Sequence, residues 1–183
     1  MEAIINSTIL VFISEMGDKT QLLALVLAAR FRKPIPILLG IFVATLLNHA
    51  LASYAGSFIT NYFAPSTLRL LLAVTFVGFG LWILIPDKDE GLKTTERFGA
   101  FVTTLFAFFI AEMGDKTQLA TIALGAKYNS IAAVTLGTTL GMMLANAPAV
   151  YFGQWFTDRI PMQWVRRMAS VLFIGFGIAC LWI

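Results

Sequence analysis

A seven-residue polar sequence, Glu-Met-Gly-Asp-Lys-Thr-Gln, occurs twice in the chain, beginning at Glu15 and again at Glu112. Each copy places two carboxylates, an ammonium group, a hydroxyl and an amide in sequence that is otherwise almost wholly apolar. Ionisable residues are costly inside a membrane-spanning segment and usually mark a functional site there. These two motifs are therefore the first candidates for chemistry.

The side chains of the motifs are typical ligands of a divalent cation. On a helix, residues three apart share a face, so each motif would project its two acids and its amide in one direction. Oxygen ligands of this kind suit Ca²⁺, Mg²⁺ and Mn²⁺, whereas Zn²⁺ and Cu⁺ sites draw on histidine or cysteine. The predicted ligands are Glu15, Asp18, Gln21, Glu112, Asp115 and Gln118, and the predicted supporting residues in the motifs are Lys19, Thr20, Lys116 and Thr117.

The composition indicates a membrane protein. The 183 residues are 58% hydrophobic and only 13% charged, and the mean hydropathy is +0.82. A helix needs about 20 apolar residues to cross a bilayer. Six apolar segments have that length, and they predict an all-α membrane protein with six transmembrane helices in a single transmembrane domain: 3–28, 35–59, 68–86, 98–126, 131–156 and 166–183.

The chain is also a tandem repeat. A shift of 97 residues superimposes the two motifs without a gap, together with Gly78-Phe79-Gly80 on Gly175-Phe176-Gly177. Repeat one is predicted to cover residues 1–86 and repeat two residues 98–183, with a linker at 87–97. Because each repeat has three spans, the second should enter the membrane from the opposite side, which gives two inverted three-helix repeats.

Loop charges predict the orientation, since cytoplasmic loops carry an excess of Lys and Arg. With the amino terminus outside, nine loop cations fall on the cytoplasmic side and two outside. Both termini are thus predicted to lie outside the cytoplasm and the linker inside. The net charge of +3 does not indicate nucleic-acid binding, because the basic residues border apolar spans. The nine are Arg30, Arg32, Lys33, Lys88, Lys93, Arg97, Arg159, Arg166 and Arg167; the two are Arg69 and Lys127.

The remaining polar groups within the spans are Asn48, His49 and Asn146, the last of which is the repeat equivalent of His49. His49, the only histidine, could relay protons near neutral pH, but a role in packing or in contacting the metal ligands is favoured for it. All three residues are predicted to support the site. Gly17 and its equivalent in repeat two could loosen the helix and free carbonyl groups, as in the discontinuous helices of transporters.

In a purely structural interpretation of the motifs, Lys19 pairs with Glu15 and Lys116 with Glu112, each pair fixing helix packing. It is disfavoured, because such a pair would not need a second acid, a hydroxyl and an amide repeated with it at mid-membrane.

The repeated Glu-x-Gly-Asp-Lys-Thr sequence resembles the signature of the cation/proton antiporter family that includes Golgi and chloroplast manganese and calcium transporters and bacterial manganese exporters of the MneA type. The resemblance covers essentially the whole chain, and neither motif departs from the pattern. It implies a six-helix fold, exchange of Mn²⁺ or Ca²⁺ for protons, and metal binding by Glu15, Asp18, Glu112 and Asp115.

The residues and the resemblance together predict a secondary transporter, not an enzyme, that exports Mn²⁺ or alternatively Ca²⁺ in exchange for protons and needs no prosthetic group. A cation channel with a selectivity ring of acids is the main alternative, and an intramembrane lipid-phosphate hydrolase is less favoured because no arginine lies deep in a span. The expected partners are the lipid bilayer and the cation. A homodimer is left open, and a bacterial inner membrane is the expected location.

Overall fold

The computed structural model describes residues 1–85, 99–153 and 162–182, and the predicted linker 87–97 lies outside these residues. The described part of the chain is all-α, as predicted. Its helices are α1 (Glu2–Glu15), α2 (Lys19–Phe31), α3 (Pro34–Ile59), α4 (Pro65–Ile83), α5 (Ala100–Glu112), α6 (Lys116–Tyr128), α7 (Ile131–Phe152) and α8 (Met162–Ala179).

The predicted first and fourth spans are not continuous helices, and this corrects the sequence prediction. Segment 3–28 contains α1 and α2, and segment 98–126 contains α5 and α6. Both interruptions fall inside the polar motifs. The expected shared helical face of Glu15 and Asp18 is therefore wrong, because Glu15 ends α1 whereas Asp18 precedes the first residue of α2.

A type II turn causes each interruption. Met16 has φ −63° and ψ 116°, Gly17 has φ 78°, and the Asp18 N–H donates to the Glu15 carbonyl at 3.1 Å. The third position of such a turn requires positive φ, which glycine adopts without a steric penalty. Gly114 repeats this geometry with φ 77°. The predicted loosening at the two glycines thus takes the form of a defined turn.

Within the described residues, three helices are long and apolar enough to span a membrane: α3, α4 and α7. Shorter apolar helices are formed by α5 and by residues 167–179 of α8. Large apolar side chains such as Leu51, Val74 and Leu140 are exposed by 61%, 64% and 50%, while Asn48 and His49 are buried. An apolar surface around polar interior groups suits a protein whose solvent is lipid.

Helix contacts occur in equivalent pairs across the two repeats. The helix α1 packs on α7 as α5 packs on α3, and α3 packs on α6 as α2 packs on α7. The equivalent helices α3 and α7 also contact each other, as do α4 and α8. The motifs are therefore held by long, apolar helices from the opposite repeat.

Side-chain contacts identify the two ends of the helix assembly. Asn6 Nδ2 donates to the Tyr128 hydroxyl at 2.7 Å, which joins the start of α1 to the end of α6. Ser57 Oγ donates to Asn129 Oδ1 at 2.6 Å, which brings the end of α3 to the same place, here named the Tyr128 end. The start of α5 instead meets the start of α3 at the opposite end, here named the Lys33 end. A Cβ at Gly40 would lie only 2.8 Å from the Phe101 carbonyl oxygen there.

Candidate cation site

Three acids from the two motifs meet inside the protein. Glu15 comes from the end of α1, Glu112 from the end of α5, and Asp115 from the residue that precedes α6. Each offers a carboxylate oxygen within 4.8 Å of the others, and all three side chains are buried. The structure thus brings together three of the six predicted ligands. We call these three residues the carboxylate cluster.

The motif lysine of repeat one contacts the acid of repeat two. Lys19 Nζ lies 2.8 Å from Asp115 Oδ1, so the ion pair crosses between the repeats. Lys116 Nζ donates to the Ile85 carbonyl at 3.3 Å and lies 5.5 Å from the centre of the Trp82 ring. The alternative in which each lysine pairs only with the glutamate of its own motif does not describe these contacts.

The two glutamates have different surroundings although their motifs are identical. Glu15 accepts hydrogen bonds from Thr20 Oγ1, at 2.7 Å to Oε2, and from Thr117 Oγ1 at its other oxygen. Both oxygens of Glu112 and Oδ2 of Asp115 have no hydrogen-bond partner among the described residues. Buried polar atoms without partners are strongly destabilising. A cation or protons bound at the cluster would satisfy them.

The motif glutamines hold the turns. The Oε1 atom of Gln21 accepts from the Gly17 N–H at 2.9 Å, and that of Gln118 accepts from the Gly114 N–H at 2.7 Å. In addition, Gln21 Nε2 donates to the Ala145 carbonyl of α7 at 2.9 Å. Both amide oxygens are thus engaged by the backbone in this conformation, and their role as metal ligands stays a prediction.

Asp18 lies apart from the carboxylate cluster, beside a cavity with an empty volume of about 330 Å³, part of it open to the surroundings. Asp18 is half-buried, whereas Asp115, its repeat equivalent, is buried. The end of α4 forms one wall, and α4 starts just after α3 ends at the Tyr128 end, so the cavity lies toward the Lys33 end. Its lining includes Met16, Gly17, Ile83, Ile85, Lys116 and Thr117.

The predicted supporting residues Asn48, His49 and Asn146 are buried on α3 and α7. Asn48 Nδ2 donates to the Phe109 carbonyl at 3.1 Å, one turn before the end of α5 at Glu112. Asn146 Nδ2 donates to the Met142 carbonyl of its own helix at 3.1 Å. Both ring nitrogens of His49 lack a hydrogen-bond partner among the described residues, and His49 is not part of the carboxylate cluster.

Sequence reasoning missed the contacts that fix the motif conformation. The Gly-Asp pair inside each motif is a turn signal followed by a helix-capping residue, and Gln21 stands at the third helical position, as in a capping box. This signal was present in the sequence. The Ala145 carbonyl and the carbonyl at Ile85 left no such signal, because backbone groups from other helices contact Gln21 and Lys116.

The family model described as the divalent cation/proton antiporter GDT1 matches residues 3–91 and 100–183 of the chain. The chain is 47% identical over 180 residues to a Vibrio cholerae protein named "Putative manganese exporter", with 98% of this chain and 90% of that protein covered. It is 30% identical over 205 residues to GDT1-like protein 3 of rice, with 97% and 73% covered. It is 29% identical over 220 residues to GDT1-like protein 5 of Arabidopsis thaliana, with 99% and 96% covered.

No solved structure matches the chain. The family model, however, covers both repeats and both motifs, and the bacterial relative aligns over nearly the whole chain. The chain therefore belongs to the GDT1 family of divalent cation/proton antiporters and is an integral membrane protein for cation transport.

Proposed function

We propose that this protein exports a divalent cation from the cytoplasm, Mn²⁺ first and Ca²⁺ second, in exchange for protons. The observation that carries the proposal is the carboxylate cluster, in which Glu15 of one motif meets Glu112 and Asp115 of the other inside the helix assembly. A site made by both repeats changes when the repeats move relative to each other. That property is what an alternating-access transporter needs.

The charges of the cluster favour a divalent ion. Three ionised carboxylates and the ammonium of Lys19 leave two negative charges in a buried place, and one divalent cation neutralises them. Protons bind the same oxygens, so protons and metal exclude each other. The carboxylates alone can therefore couple the two ions, without any prosthetic group.

The opposed placement of the repeats supports movement between two sides. The helices α1 and α5 begin at opposite ends of the assembly, as expected for an inverted pair, and the helix contacts occur in equivalent pairs. Under this proposal the Lys33 end faces the cytoplasm, in agreement with the basic residues Arg30, Arg32 and Lys33. Both termini then lie outside a bacterial inner membrane.

Additional ligands would complete the coordination in a bound state. Asp18 is the nearest candidate, because it lines the cavity beside Thr117, whose hydroxyl contacts Glu15. Gln21 and Gln118 would first have to release the glycine N–H groups that they now accept from. Mn²⁺ takes precedence over Ca²⁺ because the Vibrio cholerae relative is named as a manganese exporter.

The test is transport in proteoliposomes that contain the purified protein. Uptake of Mn²⁺, Ca²⁺ and Mg²⁺ is measured with and without a pH gradient, and internal pH is recorded with a trapped dye. Metal flux should follow the proton gradient and should be accompanied by opposite proton movement. Glu15→Gln combined with Glu112→Gln should abolish it.

Glu2→Gln is the matched control, because Glu2 is an exposed acid on the same helix as Glu15 but lies outside the cluster. It should retain the flux of the unchanged protein. Metal flux that ignores the pH gradient, or that persists in the double variant, would refute the proposal. Passive flux at channel rates without proton movement would instead identify a channel.

A further inference from the structure

Buried hydroxyls lie between the carboxylate cluster and the Tyr128 end on three different helices. Ser53 lies one turn beyond His49 on α3, and Thr121 lies one turn beyond Thr117 on α6. Thr139 lies two turns before Asn146 on α7, which begins at the Tyr128 end. Side chains four or seven residues apart share a helix face. Each hydroxyl therefore stands on the same face as a polar group at the level of the site.

The equivalent positions toward the Lys33 end are apolar. With the shift of 97 residues, Ser53 corresponds to Val150, Thr121 to Ala24, and Thr139 to Phe42. In an inverted pair, equivalent positions lie on opposite sides of the site. All three differences thus place the hydroxyl on the Tyr128 side and the apolar residue on the Lys33 side.

Other buried hydroxyls do not follow this division. Ser7 and its equivalent Thr104 are hydroxyls in both repeats, so they do not distinguish the sides. Thr45, whose equivalent is Met142, lies toward the Lys33 end, as does Ser170 of α8, whose equivalent is Ala73. The Thr45 hydroxyl donates to the Ile41 carbonyl of its own helix at 2.9 Å and is satisfied without water. The Thr121 hydroxyl likewise donates to the Thr117 carbonyl at 2.8 Å, so Thr121 is assigned to the passage by its position and not by an unmet hydrogen bond.

The hydroxyls of Ser53 and Thr139 are buried and have no hydrogen-bond partner among the described residues. The helix of Ser53 packs closely on α6, since a Cβ at Gly125 would lie 2.6 Å from the Ser53 carbonyl oxygen. Buried hydroxyls without partners are destabilising and are usually satisfied by water. Apolar residues, as in the other repeat, would pack here without that cost.

We propose that Ser53, Thr121 and Thr139 line the passage between the carboxylate cluster and the outer side, which becomes hydrated when the helices α3, α6 and α7 separate at the Tyr128 end. The proposal rests on the proposed function for its two sides. The species that pass are water, protons and a divalent cation with part of its hydration shell, since hydroxyl oxygens can replace water ligands of such an ion. The cavity at Asp18 serves the opposite side.

The test is cysteine labelling in the full chain. The native cysteine is first removed by Cys180→Ala, and single cysteines are introduced as Ser53→Cys, Thr121→Cys and Thr139→Cys. A membrane-impermeant, positively charged methanethiosulfonate is added to one side of proteoliposomes of defined orientation, and then to the other. Total thiol is measured after denaturation, and transport is measured before and after labelling.

Leu51→Cys and Leu140→Cys are the matched controls, because these exposed apolar positions lie close to Ser53 and Thr139 in the same helices. Val150→Cys and Ala24→Cys test the equivalent positions of repeat two and repeat one. A thiol must ionise to react, so a cysteine in water should react at least about tenfold faster than one facing lipid or packed in apolar surroundings.

The expected result is fast labelling from the Tyr128 side at two or more of the three positions, with loss of transport, and slow labelling of all four control cysteines from both sides. If the three introduced cysteines react no faster than the control cysteines in variants that still transport, the proposed passage is refuted. Fast labelling in a protein that shows no metal and proton exchange would support the passage and refute the proposed function, so the two failures can be told apart.

Discussion

Removal of the Lys19 charge should make the site bind a divalent cation more tightly and release it more slowly. In the structure Lys19 Nζ lies 2.8 Å from Asp115 Oδ1. A cation bound to that oxygen would lie about 2.2 Å from it, and thus no more than about 5 Å from the ammonium. The lysine therefore repels the cation and also occupies one of its ligands.

The size of the effect follows from this geometry. Between a double and a single positive charge about 5 Å apart, Coulomb's law gives about 7 kcal/mol at an effective dielectric constant of about 20, and about 1.7 kcal/mol in bulk water. The Lys19 side chain is 33% exposed, so solvent screens part of the repulsion and the lower figure is the safer one. Even that value corresponds to more than tenfold in Kd.

The assay compares Lys19→Gln with the unchanged protein. Mn²⁺ binding is titrated calorimetrically at fixed pH, and export is measured in proteoliposomes at saturating Mn²⁺. The variant should have a Kd lowered by about tenfold or more and a lower maximal rate. Lys33→Gln, a change at an exposed residue of the Lys33 end, should alter neither quantity. A variant with unchanged or weaker Mn²⁺ binding would refute the reasoning.

Three further changes test how the motifs are held. Gly17→Ala forces a side chain into positive φ and should cost about 1–2 kcal/mol of stability, which is measured as a lower Tm in detergent. Gly78→Ala is the control and should not lower the Tm, because no atom lies within 4 Å of its added Cβ. Gln21→Leu leaves the Gly17 N–H without its side-chain acceptor, at a cost of about 1–3 kcal/mol. Because Gln21 also bonds to α7, the transport rate of the Gln21→Leu variant should fall further than that of Gln118→Leu. Gly137→Ala places a Cβ 2.6 Å from a carbonyl oxygen of α1, and overpacking of about 1–3 kcal/mol should lower the Tm; an unchanged Tm would mean that α1 and α7 can move apart freely.

The sequence was sufficient for the helical class and for the membrane location, because these depend on patterns along the chain. The motif length and the apolar surroundings indicate a membrane site without knowledge of any contact. The helix interruption was less accessible, since an apolar segment of 26 residues reads as one span unless the turn preference of Gly17 is given more weight. Here the local turn geometry prevailed over the apolar pattern.

Cross-repeat contacts could not be derived, because the motif sequences are identical. The motif sequence does not distinguish Lys19 from Lys116. In the structure Lys19 contacts Asp115, and Lys116 contacts the Ile85 carbonyl. Such differences depend on the conformation of the whole assembly. The sequence specifies which groups are present and leaves open which copy contacts which partner.

The unequal surroundings of identical motifs are what a two-sided site requires. A site with exact two-fold symmetry would be equally open or equally closed toward both sides. An exchanger must never be open to both sides at once, because ions would then leak through it. In this structure the Asp18 turn borders the cavity, whereas Asp115 is buried against Lys19. If the repeats exchange these arrangements during transport, the turn at Asp115 borders the cavity of the opposite side in the other state, and Asp18 becomes buried. Neutralisation of Lys19 and of Lys116 should then affect opposite halves of the cycle, with cation binding altered from one side by the first and from the other side by the second.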